Sequence, residues 1–348
     1  MKPIHYILQI QQNYTFEILR PVQRAILERG DKVLWLVIGK AVDVSKFAPD
    51  EPYTNDIQQV RAFAPDAVMV TGNVVPDFVP GLKVQVFHGF EWKKKGHFRI
   101  RGSFDLYCTQ GPLFTRKFKA LAEQHGNYFD VEQTGWPKMD NFFPLQEDST
   151  CSTEHEQPQI LYAPTFSPSF SSASDIKQTI FALAEQHPWQ WHIKFHPKMD
   201  PAVVAEYAEE VEQFDNVTLH GNVDLIGLIR QSDVVLSDTS SAIAETILLG
   251  KPVVTYKNSV PDQYIFDIRS PEALGPTLEQ VLQGSAEQDA LLEEFAREYH
   301  PYRDGKSSER LLDVIEHKLK HGLDAPGTKP KNWIRNIKLR KETGYWRW

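Results

Sequence analysis

Val234-Val235-Leu236-Ser237-Asp238-Thr239-Ser240-Ser241-Ala242-Ile243-Ala244-Glu245-Thr246-Ile247-Leu248-Leu249-Gly250-Lys251-Pro252-Val253-Val254-Thr255-Tyr256 decides the fold. Val234 to Leu236 is a short β-branched apolar run, the pattern of a strand buried on both faces. Small hydroxyl residues follow, and Ala242 to Leu249 carries apolar residues at helical pitch. Gly250-Lys251-Pro252 stops that helix, and Val253 to Tyr256 is again strand-like. Strand, helix and strand in this order form a parallel βαβ unit.

The same alternation extends in both directions. Towards the N-terminus of this half lie strands at Gln159 to Ala163, Trp191 to Phe195 and Val217 to Leu219. Helices at Asp175 to Gln186, Val203 to Val211 and Leu225 to Gln231 separate them. Before them, residues 145–158 are polar and without apolar periodicity, so they read as a linker. The first half repeats the theme, with strands at Ile4 to Ile10, Lys32 to Ile38, Ala67 to Val70, Lys83 to Phe87, Asp105 to Cys108 and Val131 to Thr134. Its helices run from Phe16 to Arg29 and from Pro112 to Gln124. Glu272 to Leu282, Ala290 to Tyr299 and Ser308 to Lys318 read as closing helices.

The expected fold class is therefore α/β, with two Rossmann-like, doubly wound parallel-sheet domains facing across a cleft. The expected boundaries are 1–144 for an acceptor-side domain, 145–158 for the linker, 159–328 for a nucleotide-donor domain with returning helices, and 329–348 for a basic aromatic tail. Ligands of such sheets bind beyond the carboxyl ends of the strands.

Composition excludes several classes. The 348 residues are 41% hydrophobic and 24% charged, ordinary values for a chain that buries a full core. A formal net charge of -8 argues against nucleic acid as the main partner. The two cysteines, Cys108 and Cys151, make neither a disulfide framework nor a zinc pattern, and read as reduced thiols in a cytoplasmic protein. The segment Met1 to Ile10 reads as a core strand and not as a signal peptide, and no apolar run reaches membrane-spanning length.

Four motifs carry chemistry. Ser240 and Ser241 stand at a helix N-terminus on the carboxyl edge of a buried strand, where amides and the helix dipole attract an anion. A plain N-cap would account for one hydroxyl but less well for the cluster. Glu245, one turn on, is either a ribose-hydroxyl acceptor or a solvated helix-face residue. His88-Gly89 follows a strand in the first half, and His196-Pro197 has the matching position in the second, between Lys194 and Lys198. An imidazole at such an edge can take a proton from an attacking hydroxyl, or hold a phosphate oxygen when charged. Lys93, Lys94, Lys95, His97, Arg99 and Arg101 form a cationic loop after His88, read as a screen for phosphate or as a solvated basic loop. Tyr162-Ala163-Pro164-Thr165 ends a strand, and Thr165 is placed to donate to a phosphate. The chain lacks a P-loop, a Gly-x-Ser-x-Gly elbow and an Asp-x-Asp pair, so a P-loop ATPase, a serine hydrolase and a carboxylate-held metal are not indicated.

Together these residues resemble the CDP-glycerol glycerophosphotransferase family, the teichoic-acid type primases and polymerases. The resemblance runs from about His88 to about Arg310. It rests on His88-Gly89, Gly135-Trp136-Pro137-Lys138, Tyr162-Ala163-Pro164-Thr165, His196-Pro197, Ser237 to Ser241, Glu245, Gly250-Lys251-Pro252 and Asp304 to Arg310. It implies a GT-B fold with no catalytic metal and no cofactor, the nucleotide-linked donor being a substrate. It implies transfer of a polyol phosphate from a CDP-linked donor to a hydroxyl of a polysaccharide or lipid-linked acceptor, with release of CMP. The family's two functional histidines fall on His88, as general base, and His196, as a phosphate or leaving-group contact. Ser240 and Ser241 would hold the pyrophosphate, with Thr165, Lys198 and Glu245 beside the donor and Lys306 or Arg310 closing over it. Gly89 and Lys93 to Lys95 would lie on the acceptor side. Family members commonly carry a larger N-terminal region, and a shorter chain suits single-unit transfer at least as well as processive polymerisation, so both stay open. A glycosyltransferase using a UDP- or CMP-linked sugar, a UDP-sugar 2-epimerase and a non-catalytic nucleotide-binding scaffold share the fold and stay open as alternatives.

The tail from Lys329 to Trp348 holds seven cations against one acid, Glu342, interleaved with Trp333, Ile334, Ile337, Leu339, Tyr345, Trp346 and Trp348. Trp333, Ile334 and Ile337 share a helix face in this reading. The composition suits an anionic membrane surface on the cytoplasmic side; packing across the first domain is the alternative.

Overall fold

The structure, a computed structural model of the chain, describes residues 2–90, 96–143, 156–221, 223–240 and 242–346. It divides into two compact units: residues 1–145 with 298–348, and residues 146–297.

In the first unit the elements are β1 (His5–Ile10), α1 (Thr15–Glu28), β2 (Lys32–Val37), β3 (Tyr53–Thr54), α2 (Ile57–Phe63), β4 (Ala67–Val70), β5 (Leu82–Gln85), β6 (Leu106–Thr109), α3 (Pro112–Gln124) and β7 (Asp130–Gln133). The sheet order is β3-β2-β1-β4-β5-β6-β7, and every pairing is parallel. The order reverses between β1 and β4, which opens a crevice beyond their carboxyl ends. β3 and α2 were not expected from the sequence. β3 is only two residues long, and α2 is a seven-residue helix whose visible signal is its cap, Asp56 accepting from the Gln58 amide at 2.8 Å.

The second unit contains β8 (Gln159–Tyr162), α4 (Ala173–Gln186), β9 (Gln190–Lys194), α5 (Pro201–Val211), β10 (Val217–His220), α6 (Leu225–Gln231), β11 (Val234–Ser237), α7 (Ala242–Leu248), β12 (Val253–Tyr256), β13 (Phe266–Ile268) and α8 (Leu274–Gln283). Its sheet order is β10-β9-β8-β11-β12-β13, again all parallel, with the reversal between β8 and β11. Both units thus have the doubly wound order, and the α/β class with two Rossmann-like domains is the observed one. Asp200 with Pro201, and Asp224, cap α5 and α6 through the amides of Ala202 and Gly227. The core is centred on the fully buried Ile160, Tyr162, Trp191, Ile193 and Leu236.

The boundary differs from the expected 159–328. α9 (Ala286–Tyr299) spans the division, and from Glu298 onward the chain belongs to the first unit. α10 (Ser307–His321) packs on α1, and Arg29 pairs with Asp313 at 2.7 Å and Glu316 at 2.6 Å. Further along, buried Lys318 reaches Asp130 at 2.9 Å, Glu132 at 3.0 Å and Asp324 at 2.6 Å. A buried ammonium needs such partners, so this trio fixes α10 to the first sheet. The final helix, α11 (Trp333–Thr343), buries Leu339 and Arg340, and Tyr345 joins them against Phe78. The tail therefore packs on the first unit, yet Trp333, Ile334, Ile337 and Trp346 are all exposed. Most of the expected linker, residues 145–155, lies outside the described residues, as do Cys151, Arg347 and Trp348. Cys108 is a free, buried thiol.

Candidate functional site

In the first unit, β5 ends at Gln85 and the chain turns at Phe87, whose φ is +64°. A bulky residue in the left-handed region is strained, by roughly 1–3 kcal/mol, and persists only where its surroundings force it. They do so here. The Phe87 ring is fully buried against Phe118 and His97, and its carbonyl oxygen accepts from Trp136 Nε1 at 3.3 Å. The turn delivers His88 to the reversal point of the sheet. Its Nδ1 lies 3.3 Å from the carbonyl oxygen of Thr71, just past β4, and its ring lies 5.7 Å from that of Tyr14, just past β1. A carbonyl only accepts, so Nδ1 carries a proton, and in the uncharged form of the ring the lone pair lies on Nε2. Gly89 is buried, with its carbonyl held by Gln110 Nε2 at 2.8 Å. Lys93, Lys94 and Lys95 lie outside the described residues. His97 departs from its expected place in a solvated basic loop: it is 5% exposed and stacks on Phe87.

The Gly135-Trp136-Pro137-Lys138 and Asp304-to-Arg310 segments meet within this unit. Gly135 has φ +84°, and a Cβ there would lie 2.5 Å from Ser307 Oγ, so only glycine admits the returning chain. Asp140 accepts from the amides of Ser307 at 2.8 Å and Ser308 at 2.7 Å, capping α10. Burial raises the Asp140 carboxyl above its ordinary value, and these hydrogen bonds oppose the shift. Lys306 is exposed. Arg310 is bound by both oxygens of Asp304, at 2.7 and 3.2 Å, and lies 3.7 Å over the Tyr302 ring. Both cations belong to the first unit and not, as expected, to the same domain as Ser240. The cause is the returning α10.

In the second unit, the reversal between β8 and β11 brings Thr165 and Ser240 to one edge. Asp238, fully buried, organises it. Its carboxylate accepts from the amides of Thr165 at 2.9 Å, Ser172 at 3.0 Å and Thr239 at 2.7 Å, and from the Ser172 hydroxyl at 3.0 Å. Burial raises its pKa nonetheless. The role of Asp238 was missed in the sequence, although its place in a hydroxyl run directly after a buried strand was the available signal. Ser240 Oγ accepts from the Ala242 amide at 3.2 Å, so it serves as a cap and keeps its own proton to donate. Ser241 lies outside the described residues. Glu245 is 7% exposed, which rules out a solvated helix face.

His196 follows β9. Its Nδ1 accepts from the Lys198 amide at 3.0 Å, so the neutral ring carries its proton on Nε2. The ring stacks on Phe166, with centroids 4.4 Å apart, and Lys198 Nζ sits 5.7 Å from that same phenyl ring. Partial burial first, then Lys198 and Lys194, lower the His196 pKa and favour the neutral form. Phe166 is a second residue missed in the sequence. When uncharged, the two rings therefore take opposite tautomers, with the proton on Nδ1 of His88 and on Nε2 of His196. Among the described residues no group of three or more His, Cys, Asp or Glu is arranged to hold a metal ion.

Residues 119–316, more than half of the chain, match the family model described as UDP-N-acetylglucosamine 2-epimerase. The teichoic acid glycerol-phosphate primase of Bacillus spizizenii is 28% identical over 239 residues, covering 63% of this chain and 60% of that protein. The teichoic acid ribitol-phosphate primase of the same organism is 28% identical over 250 residues, covering 65% of this chain and 62% of that one. The chain thus spans less than two thirds of the length of these curated relatives. The solved structure of the wall teichoic acid polymerase TagF has a TM-score of 0.64 at 14% identity, covering 92% of this chain and 90% of that one, so the GT-B-like fold is shared. The chain belongs to the family described by the UDP-N-acetylglucosamine 2-epimerase model, and its curated relatives bear out the resemblance of its motifs to the CDP-glycerol glycerophosphotransferases.

Proposed function

We propose that the chain transfers glycerol phosphate, or a related polyol phosphate, from a CDP-linked donor to a hydroxyl of a polymer or lipid-linked acceptor. The observation that carries this reading is the opposite tautomers of the two histidines. His88 Nε2 takes the proton of the acceptor hydroxyl, whose oxygen attacks the phosphorus of the polyol phosphate. The bond from that phosphorus to the bridging oxygen breaks, and CMP leaves with the electron pair. His196 Nε2–H donates to the donor's phosphate oxygens, and Thr165 and Ser240 supply hydroxyl donors at the same sheet edge. In this reading Glu245 and Lys198 belong to the donor side and Gly89 to the acceptor side. Lys306 and Arg310 contribute to phosphate binding from the first unit. No metal and no cofactor take part, and charge is met by amides, hydroxyls and cations.

The names of the curated relatives, glycerol-phosphate and ribitol-phosphate primases, support this donor class. A second reading, a UDP-sugar 2-epimerase, is favoured by the matching family model. The acceptor side would meet an anionic membrane at the cytoplasmic face through α11, where exposed Trp333, Ile334 and Ile337 stand among Lys331, Lys338 and Lys341. Among the described residues no helix is long and apolar enough to cross a membrane.

A donor screen tests the proposal. The chain is incubated with CDP-glycerol, CDP-ribitol, CMP-sugars and UDP-sugars, with and without a polyol-phosphate or lipid-linked acceptor. Acceptor-dependent CMP release from a CDP-polyol is the expected result. UDP release alone, or interconversion of a UDP-sugar, would replace the reading with the second.

A further inference from the structure

The first unit holds a cluster of arginines that the proposed transfer does not use. Arg99 and Arg101, on the segment before β6, and Arg335, on α11, line one pocket of about 410 Å³ together with His125, Tyr128 and Asn332. No acid lines it. Arg335 feels Arg101 and Arg99 directly: after burial, these two guanidinium groups are the next largest causes that push its pKa below the ordinary value. Among the described residues, no carboxylate pairs with any of the three. Arg101 Nε is buried without a hydrogen-bond partner among the described residues.

The cluster is built in and not a chance of long side chains. Arg335 Nη1 donates to the Arg101 carbonyl oxygen, which ties the helix to the loop that carries the other two arginines. Asn332 Nδ2 donates to the Gly102 carbonyl oxygen at 2.7 Å. Gly102 has φ +69°, and a Cβ there would lie 2.7 Å from both Asn332 and Pro330. The segment from Pro330 to Asn332 is thus pressed against the loop, and side-chain bonds to the loop's carbonyl oxygens hold the like charges together. Like charges brought into one half-buried pocket repel one another, and a divalent anion relieves that repulsion. Planar guanidinium groups match phosphoryl oxygens in pairs.

We propose that this pocket is a binding site for a phosphoryl anion, a phosphomonoester or phosphodiester group, distinct from the His88 edge. The site does not depend on the proposed transfer reaction. Two sources carry such a group: a soluble phosphoester and an anionic lipid headgroup. The second is brought close by the exposed Trp333 and Ile334 on the helix that supplies Arg335.

Titration calorimetry of the full chain with inorganic phosphate, pyrophosphate and sn-glycerol 3-phosphate tests the site. Sedimentation with phosphatidylglycerol and with phosphatidylcholine vesicles tests the lipid source. Arg99→Gln and Arg335→Gln are measured alongside; Arg99 is exposed, so its variant is safe for folding. Saturable binding of at least one probe, weakened about tenfold or more in both variants and falling with added salt, is expected. Soluble binding without vesicle binding assigns a soluble phosphoester. Vesicle binding that sn-glycerol 3-phosphate displaces assigns a headgroup. Absence of saturable binding by every probe, or binding unchanged in both variants, would overturn the site.

Discussion

Trp136 Nε1 donates a hydrogen bond to the carbonyl oxygen of Phe87, the residue whose left-handed backbone aims His88 at the reversal point of the first sheet. The strain at Phe87 is held by a ring cluster on one side and by this single bond on the other. Trp136→Phe keeps bulk and removes the donor. It is expected to lower stability by about 1–2 kcal/mol and the transfer rate by roughly tenfold or more, since small misplacements of a base are amplified in rate. Paired thermal unfolding and rate measurements check this. A stability loss with a normal rate would show that His88 does not depend on the bond.

Phe166 covers one face of the His196 ring. Burial is the first cause of the lowered His196 pKa, so uncovering the ring moves it upward towards the ordinary histidine value. The ring of a Phe166→Ala variant should therefore protonate at higher pH than that of the wild type. Titration of the imidazole carbon-bound protons by NMR reads this directly. An unchanged or lower midpoint would mean that the two lysines, not the phenyl ring, set the value.

Asp238 satisfies three backbone amides and one hydroxyl from a fully buried position. Asp238→Ala leaves these donors without a partner and is expected to lower stability by about 3 kcal/mol or more. Asp238→Asn keeps one acceptor oxygen and should lose less. Urea unfolding of the two variants separates these outcomes, and equal losses would remove the hydrogen bonds as the cause.

His300 is buried in the first unit, and burial, then Arg310, lower its pKa to about 4. The unfolded ring binds a proton near pH 6.5, so between pH 6.5 and about pH 4 the unfolded state takes up more protons than the folded one. Stability from this residue is present above pH 6.5 and is lost as the pH falls through that window, by on the order of 2–3 kcal/mol. In His300→Phe the drop in unfolding temperature between pH 7 and pH 4.5 should be smaller than in the wild type. An equal drop would assign the acid sensitivity to other groups.

Much of this architecture was legible in the sequence, because short β-branched apolar runs bounded by turn residues alternate with longer segments of helical pitch, the pattern of a parallel sheet buried on both faces. Pro112 to Gln124, Leu225 to Gln231 and Val253 to Tyr256 have the same bounds in sequence and structure. What escaped was tertiary. The two-residue β3 exists only because β2 offers it an edge. His97 looks like a member of a basic loop in sequence, and becomes an aromatic core residue because the loop folds back over Phe87 and Phe118. The return of α10 to the first unit depends on Lys318 finding three carboxylates, two of them nearly 190 residues earlier in the chain. At the candidate sites, sequence picked out His88, His196 and Ser240. It did not reveal the roles of Thr71, Phe166 and Asp238: a carbonyl and a phenyl ring carry no motif of their own, and Asp238, although inside the Ser237 to Ser241 run, takes its bracing role only once Thr165 and Ser172 fold onto it.

In the proposed transfer His88 is the group that deprotonates the acceptor. Single-turnover transfer from CDP-glycerol, followed by CMP release, measures this with His88→Ala against the wild type at equal, saturating donor. The rate is expected to fall by on the order of a hundredfold or more, with donor affinity little changed. A His88→Ala variant that transfers at close to the wild-type rate would contradict the account.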